Sequence, residues 1–236
     1  MQPHAIDRPS IVACIEHSGV FRKLAGESRE RLLTEAFVAY ADRGEVIWFA
    51  GSESRFSATL ASGYVKLVRT AAQGTAVTVD IAGPGHTIGL LAVVEGHSYP
   101  LTAIAVSPTW YLKVPAGLMR DLYNSDGLLR DEVLHTMAPR LRRAHDMMAR
   151  LTLGKVEQRL ASVVLLLADS FGVRHETGTT VAVPLTRSDL AEMAGTTVET
   201  TIRVLSRWSK QGWVEMRRRH LTVLQPEALL DRNESD

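Results

Sequence analysis

Between Arg43 and Gly96 the chain never runs far without a glycine. Gly44, Gly51, Gly63, Gly74, Gly83-Pro84-Gly85, Gly89 and Gly96 cut it into pieces too short and too often broken for ordinary helices. The pieces between are Glu45-Val46-Ile47-Trp48-Phe49, Tyr64-Val65-Lys66-Leu67-Val68 and Ala76-Val77-Thr78-Val79-Asp80-Ile81. Several alternate apolar with polar residues, and β-branched and aromatic side chains are frequent, as in half-buried strands. Ala103 to Val106 and Trp110 to Val114, parted by Ser107-Pro108, read as two more strands. Many short strands with glycine turns predict a barrel or a sandwich-like roll.

After Pro115 the period becomes helical. With Leu134 as heptad position a, the a and d positions are Leu134, Met137, Leu141, Ala144, Met148 and Leu151, with no polar intruder. That is a long helix with an apolar seam, and the roll can cover only one side of it, so a partner helix is expected on the seam. Pro139 falls at f, the outermost point of the wheel, where it kinks or restarts the helix without spoiling the seam. A second helix is expected from Val156 to Phe171, then a turn-rich connector from Gly172 to Thr180. The fold class is therefore α+β.

The most specific segment follows. Thr186-Arg187-Ser188-Asp189 sets an N-cap hydroxyl three residues before an acid, close to a capping box. Leu190, Met193 and Ala194 form the inner face of that helix, and Gly195 makes a tight turn. The spacing Ala191, Gly195, Thr201, Val204 matches a helix-turn-helix: a small residue at the crossing, glycine in the turn, then inward positions. With Thr201, Val204, Leu205 and Trp208 inward, the second helix presents Val198, Glu199, Ile202 and Arg203 outward. Trp213 to Met216 and Leu221 to Leu224 read as two strands joined by Arg217-Arg218-Arg219-His220, a basic wing. From Thr186 to Leu224 seven cations face four acids, a local charge of +3 in a chain whose formal total is +1. A helix that fits the major groove beside a basic wing is the chemistry of phosphate neutralisation and base-edge reading. The candidate DNA-binding residues are Thr186, Arg187, Ser188, Thr197, Val198, Glu199, Thr200, Ile202, Arg203, Arg207, Arg217, Arg218 and Arg219.

Composition narrows the alternatives. The 236 residues are 45% hydrophobic and 22% charged, which excludes a disordered or collagen-like chain. One cysteine, Cys14, excludes an intrachain disulfide and an all-cysteine iron–sulfur cluster. The apolar run Leu160 to Ala168 is too short to span a bilayer, and Met1 to Ser10 lacks the apolar core of a secretory signal. A cytoplasmic protein without membrane contact is expected. No Ser/His/Asp arrangement, metal-spaced histidine motif, P-loop or dinucleotide fingerprint is present, so no enzyme is expected.

A glycine-punctuated roll, a long helix and a winged helix-turn-helix, in that order from about Leu24 to Leu230, resemble the CRP/FNR family of bacterial transcription regulators. The resemblance is carried by Arg43-Gly44-Glu45, Ser62-Gly63-Tyr64-Val65-Lys66-Leu67, Gly83-Pro84-Gly85-His86-Thr87-Ile88-Gly89, Leu185-Thr186-Arg187-Ser188-Asp189-Leu190-Ala191 and Val198-Glu199-Thr200-Thr201-Ile202-Arg203. It implies a cyclic-nucleotide-binding-like β-roll over 23–126 after an N-terminal segment 1–22. A dimerisation helix over 127–154, a winged helix-turn-helix DNA-binding domain over 155–231 and a tail over 232–236 complete the division. It further implies a homodimer on a two-fold symmetric site in double-stranded DNA, with RNA polymerase as a partner. The dimerisation residues would be Leu134, Met137, Leu141, Ala144, Met148 and Leu151.

Departures from the family narrow the question of what is sensed. Members that bind a cyclic nucleotide carry Gly-Glu and, downstream, Arg-Ser or Arg-Thr, which hold the ribose and the phosphate. Here the corresponding positions read Gly89-Leu90 and Tyr99-Pro100, the candidate effector pocket. Leu90 cannot accept a ribose hydrogen bond, so cyclic nucleotide binding of that kind is not expected. Gly96-His97-Ser98-Tyr99-Pro100 resembles the FNR branch, which points to oxygen limitation or nitrogen oxides as signals. The four cluster cysteines of that branch's oxygen sensors are missing. No cofactor is expected. A haem-dependent gas sensor is the alternative, with His17, His86, His97, His135 and His145 to draw an axial ligand from. The alternative from another class is a ligand-binding regulatory module whose winged domain docks on protein.

Overall fold

The computed structural model describes the backbone of residues 7–70, 76–153 and 155–234, and their side chains except at 143, 146–153 and 231–234. Its elements are α1 (Ile11–Glu16), α2 (Gly26–Glu35), β1 (Phe37–Ala41), β2 (Val46–Trp48), β3 (Phe56–Ser62), β4 (Val65–Thr70), β5 (Ala76–Ala82), β6 (Thr87–Ile88) and α3 (Leu90–Glu95). Then come β7 (Thr102–Ala105), β8 (Thr109–Pro115), α4 (Ala116–Ser125), α5 (Gly127–Leu153), α6 (Val156–Phe171), β9 (Gly172–His175) and β10 (Gly178–Val181). The chain ends with α7 (Arg187–Ala194), α8 (Val198–Lys210), β11 (Val214–Arg217), β12 (His220–Val223) and α9 (Pro226–Glu234). The division is α+β, as expected from the sequence. Among the described residues, no helix is long and apolar enough to cross a membrane.

The chain divides into two compact units, 1–69 with 80–139 and 70–79 with 140–236. The division falls inside α5 at Pro139, whose nitrogen has no hydrogen to donate to the preceding turn. The helix runs on through it, as the outermost wheel position allows.

The roll is built of two four-stranded sheets, β1-β8-β3-β6 and β2-β7-β4-β5. Between them small side chains, Ala41, Ala58, Ala82, Ala103 and Ala105, leave room for large ones, Trp48, Tyr99 and Tyr111. A second core lies under the helices, where Ile15, Phe21, Leu32, Leu90, Leu112, Met119, Leu122, Leu129 and Val133 meet. This core corrects the N-terminal boundary set at 22. Cys14, Ile15, Val20 and Phe21 are buried in the roll's own packing, because α1 covers an apolar face that the strands leave open. Burial also raises the pKa of the Cys14 thiol and so disfavours the reactive thiolate.

The seam of α5 also needs correction. Leu129, Val133 and Met137, four residues apart, pack on the roll, so Met137 serves its own chain's core. Leu134 and Leu141 flank Met137 on the helix surface, three and four residues away, yet are 65% and 59% exposed, and Ala138 and Ala144 are exposed as well. The side chains of Met148 and Leu151 lie outside the described residues. One broad apolar arc satisfies both readings: the roll covers one edge of it, and the other edge is left open.

Glu132 ties α5 to the N-terminal segment. Its side chain is only 8% exposed, yet it receives Nζ of Lys23 at 2.6 Å and lies 3.7 Å from Nε of Arg22. The Lys23 hydrogen bond, helped by the charges of Lys23, Arg22 and His135, lowers the carboxyl pKa against the upward push of burial. A lowered pKa contributes stability above the ordinary glutamate value, and that contribution is lost as pH falls through the folded value. Glu132→Gln should therefore lower the urea midpoint at neutral pH. The gap to the parent should close as pH drops below about 4.3, and a gap constant with pH would show that the ion pair is not its source.

Candidate nucleic-acid interface

The second unit holds the helix-turn-helix, and each part of it is fixed by local chemistry. Thr186 caps α7: its hydroxyl donates to Asp189 Oδ2 at 2.6 Å and accepts the Asp189 N–H at 3.1 Å. The Thr186 N–H donates to the same carboxylate at 2.8 Å, closing a capping box. The Thr186 hydroxyl is thus committed to the cap, while Arg187 and Ser188 beside it are exposed. Gly195 ends α7 in the left-handed region at φ 58°, which a glycine reaches without the Cβ penalty. Thr197 caps α8 by accepting the Thr200 N–H at 3.2 Å, and Glu199 in the first turn suits the positive end of the helix.

The faces of α8 divide as the spacing predicted. Thr201, Val204, Leu205 and Trp208 are buried. Val198 and Ile202 are 39% and 43% exposed, and Glu199 and Arg203 are exposed with them. Two apolar side chains held in solvent beside a carboxylate and a guanidinium form a surface with no role in this unit's core. Arg207 is placed differently: its guanidinium is paired with Glu157 of α6. A groove of about 210 Å³ lies between α8 and the wing, lined by Arg187, Leu205, Ser206, Ser209, Val214 and Met216. Its exposed guanidinium and hydroxyls are groups that a phosphate oxygen can accept from.

The wing is the β11–β12 hairpin, within a four-stranded sheet of order β11-β12-β10-β9. The segment expected as a connector, Gly172 to Thr180, supplies β9 and most of β10. Thr180 and Thr222 pair across strands through their hydroxyls at 2.9 Å, a partnership some forty positions apart that no local pattern announces. Arg217 is bonded to Glu215 through Nε and a terminal nitrogen, both at 2.7 Å. Arg218 and Arg219 form the tip, both exposed and both at positive φ, 46° and 74°.

Sequence reading missed what holds the two helices. Arg159 on α6 donates through Nε to the Ala194 carbonyl at 2.9 Å and through a terminal nitrogen to Gly195 at 3.1 Å. It thereby satisfies carbonyls that the end of α7 leaves without helical partners. Glu157 accepts the Trp208 indole N–H at 2.9 Å. Nothing in the local spacing of Glu157 and Arg159 reveals partners 51 and 35 positions downstream.

In the roll, the candidate effector residues are part of the packing. Tyr99 is 2% exposed and stacks on Trp48 with ring centroids 4.3 Å apart at 11°. Its hydroxyl donates to the Phe56 carbonyl and accepts the Phe56 N–H. Gly89 adopts φ 73°, and a Cβ there would lie 3.0 Å from Tyr99 and 3.1 Å from Trp48. Leu90 is buried in the other core and Pro100 is exposed. These residues do not fit a cyclic nucleotide: Leu90 brings no hydrogen-bonding group, and Tyr99 spends its hydroxyl on backbone. Of the histidines, His17 bonds the Ala13 carbonyl at 2.8 Å, His86 accepts the Gly83 N–H at 3.3 Å, and His97 lies exposed 3.4 Å from Glu95. His135 and His145 are exposed on α5.

The wing tip carries a testable strain. A two-residue hairpin turn with both φ positive suits Asn-Gly, and each other residue held there costs about 1–2 kcal/mol. Replacing Arg218 with Asn and Arg219 with Gly should raise the unfolding free energy by up to about 2–4 kcal/mol. It should also reduce the salt slope of DNA binding by about 0.9 for each phosphate that is no longer neutralised. Denaturant titration and binding measured against salt check both halves, and a gain in stability with an unchanged slope would place the arginines away from DNA.

Comparison with known proteins agrees with this geometry over both units. Residues 39–126 match the family model described as a cyclic nucleotide-binding domain, and residues 158–232 the one described as a Crp-like helix-turn-helix domain. The fumarate and nitrate reduction regulatory protein of Salmonella typhi is 27% identical over 187 residues, covering 79% of this chain and 74% of the relative. Its counterpart in Escherichia coli is 26% identical over the same shares. A CRP-family transcriptional regulator from Thermus thermophilus superposes with a TM-score of 0.70 at 25% identity, over 84% of this chain and 97% of that one. FixK2 from Bradyrhizobium japonicum shares the fold at a TM-score of 0.74 and 21% identity, over 85% and 98%. With roll, long helix and winged helix-turn-helix matched in order, the chain belongs to the CRP/FNR family of transcription regulators.

Proposed function

We propose that the protein is a homodimeric regulator that binds a two-fold symmetric site in double-stranded DNA. In this reading α8 lies in the major groove and the wing on the backbone. The observation that carries it is the division of α8: Val198 and Ile202 stand in solvent beside Glu199 and Arg203 while the opposite face is buried. Arg203 can donate two hydrogen bonds to guanine, Glu199 can accept from a cytosine amino group, and the two aliphatic side chains can pack on thymine methyls. Backbone positioning falls to Arg187, Ser188, Thr197, Thr200 and the wing tip.

Dimerisation is supported by Leu134, Ala138 and Leu141, an exposed apolar stripe that continues the apolar arc of α5 beyond Met137. The curated relatives are named for regulating fumarate and nitrate reduction, and by that likeness the signal is oxygen limitation or nitrogen oxides. The protein acts in the cytoplasm, with RNA polymerase as the partner at the promoter. The packed Trp48 and Tyr99 support a roll that takes no cyclic nucleotide and carries no cofactor.

Two experiments test this reading. Changing Leu134 and Leu141 to Glu should give monomers by light scattering that bind a selected operator poorly, since one half-site alone forgoes the second unit's share of the binding; an intact dimer would remove α5 as the interface. Binding-site selection should show Arg203→Ala relaxing one G·C position at a cost of about 1–3 kcal/mol. Ile202→Ser should shift preference at a neighbouring position in a folded protein. Unchanged selected sequences in both variants would reject α8 as the reading helix.

A further inference from the structure

Seven cations lie between Thr186 and Leu224, but they are not equally available. Arg207 stands one helical turn beyond Arg203 on α8, on the same edge, and its side chain is 52% exposed. Its guanidinium is nevertheless drawn back to Glu157 Oε2 on α6. The other oxygen of that carboxylate accepts the Trp208 indole N–H at 2.9 Å, and Trp208 is fully buried. An exposed ion pair ordinarily gains little, because two long side chains must be ordered to form it. Here one partner is already fixed: the carboxylate, 25% exposed, is anchored by a buried donor, so only the arginine loses freedom.

We infer that Glu157 is a specificity-determining residue that withholds Arg207 from the DNA backbone. This rests on the reading of α8 as the DNA-reading helix. A free guanidinium beside Arg203 would add a phosphate contact on any sequence, because phosphates carry no sequence information. Such a contact strengthens binding to the operator and to all other DNA alike. Competing sites vastly outnumber the operator, so the added affinity serves the wrong sites. Glu157 removes that contact without removing the arginine. The same carboxylate fixes the inner edge of α8 through Trp208, so Glu157 acts on DNA through residues of that helix and not by contact.

The test uses the full-length protein and a mixed-sequence duplex of roughly 30 base pairs, about three turns. Glu157→Gln keeps a carbonyl oxygen for the indole and removes the charge that holds Arg207. It should steepen the dependence of log affinity on log salt by about 0.9 per chain. Arg207→Ala added to that variant should return the slope to the parent value, whereas a merely structural defect would not be reversed by a second deletion. Arg207→Ala alone should leave the parent slope unchanged, and this arm decides the matter should Glu157→Gln fail to fold. An unsteepened slope in folded Glu157→Gln overturns the inference, as does a slope reduced by about 0.9 per chain in Arg207→Ala alone. Either result leaves the proposed function standing provided the parent binds with a salt-dependent affinity. A parent that does not bind the duplex rejects the proposed function and this inference together.

Discussion

A buried indole has one N–H, and leaving it without an acceptor costs about 1–3 kcal/mol. In this molecule that acceptor is Glu157, placed by the first turn of α6 where Trp208 of α8 comes to rest. The consequence spreads outward from the bond. With Trp208 inside, Thr201, Val204 and Leu205 must also be inside, since they share its face at helical spacing. Val198, Glu199, Ile202 and Arg203 are then left in solvent. Arg159, two residues beyond Glu157, holds the carbonyls at the end of α7, so both helices of the motif are pinned to one turn of α6. The exposed face of α8 is what remains after this core is satisfied.

The roll follows a different economy of space. In a sandwich of two small sheets, aromatic side chains can fill the interior if the residues around them are small, and alanines dominate that layer. Trp48 and Tyr99 stack there, and Gly89 is required beside them because a Cβ would press on both rings. The fold is retained with these two rings packed between its sheets. A domain of this kind still has work to do. It supplies the surface on which Leu129, Val133 and Met137 fix the first half of α5, and it thereby decides which side of that helix stays open.

Much of this was legible in the chain. Glycine punctuation announced the roll, although β1, β3 and the short α3 escaped notice: β3 is rich in alanine and serine, and α3 is only six residues between two glycines. The capping box at Thr186 and Asp189 was readable because its partners lie three residues apart. The inward and outward faces of α8 were readable because a helix repeats every 3.6 residues. The seam of α5 was half readable. Periodicity found apolar positions but could not tell Met137 from Leu141, since both are hydrophobic and only the neighbouring core distinguishes them.

The sequence by itself determined the elements whose cause is local: turns that need glycine, helix caps, the amphipathic helix α8 and a cluster of arginines at a hairpin tip. Tertiary structure alone decided that Arg207 of α8 is taken by Glu157 fifty positions earlier, while Arg218 and Arg219 are left exposed at a strained tip. It alone also decided that β9 and β10 join the wing's sheet and that the N-terminal residues belong to the roll. The reason is physical: periodicity and capping act over a few residues, whereas charge pairing, strand pairing and burial depend on distances in space that chain separation does not encode.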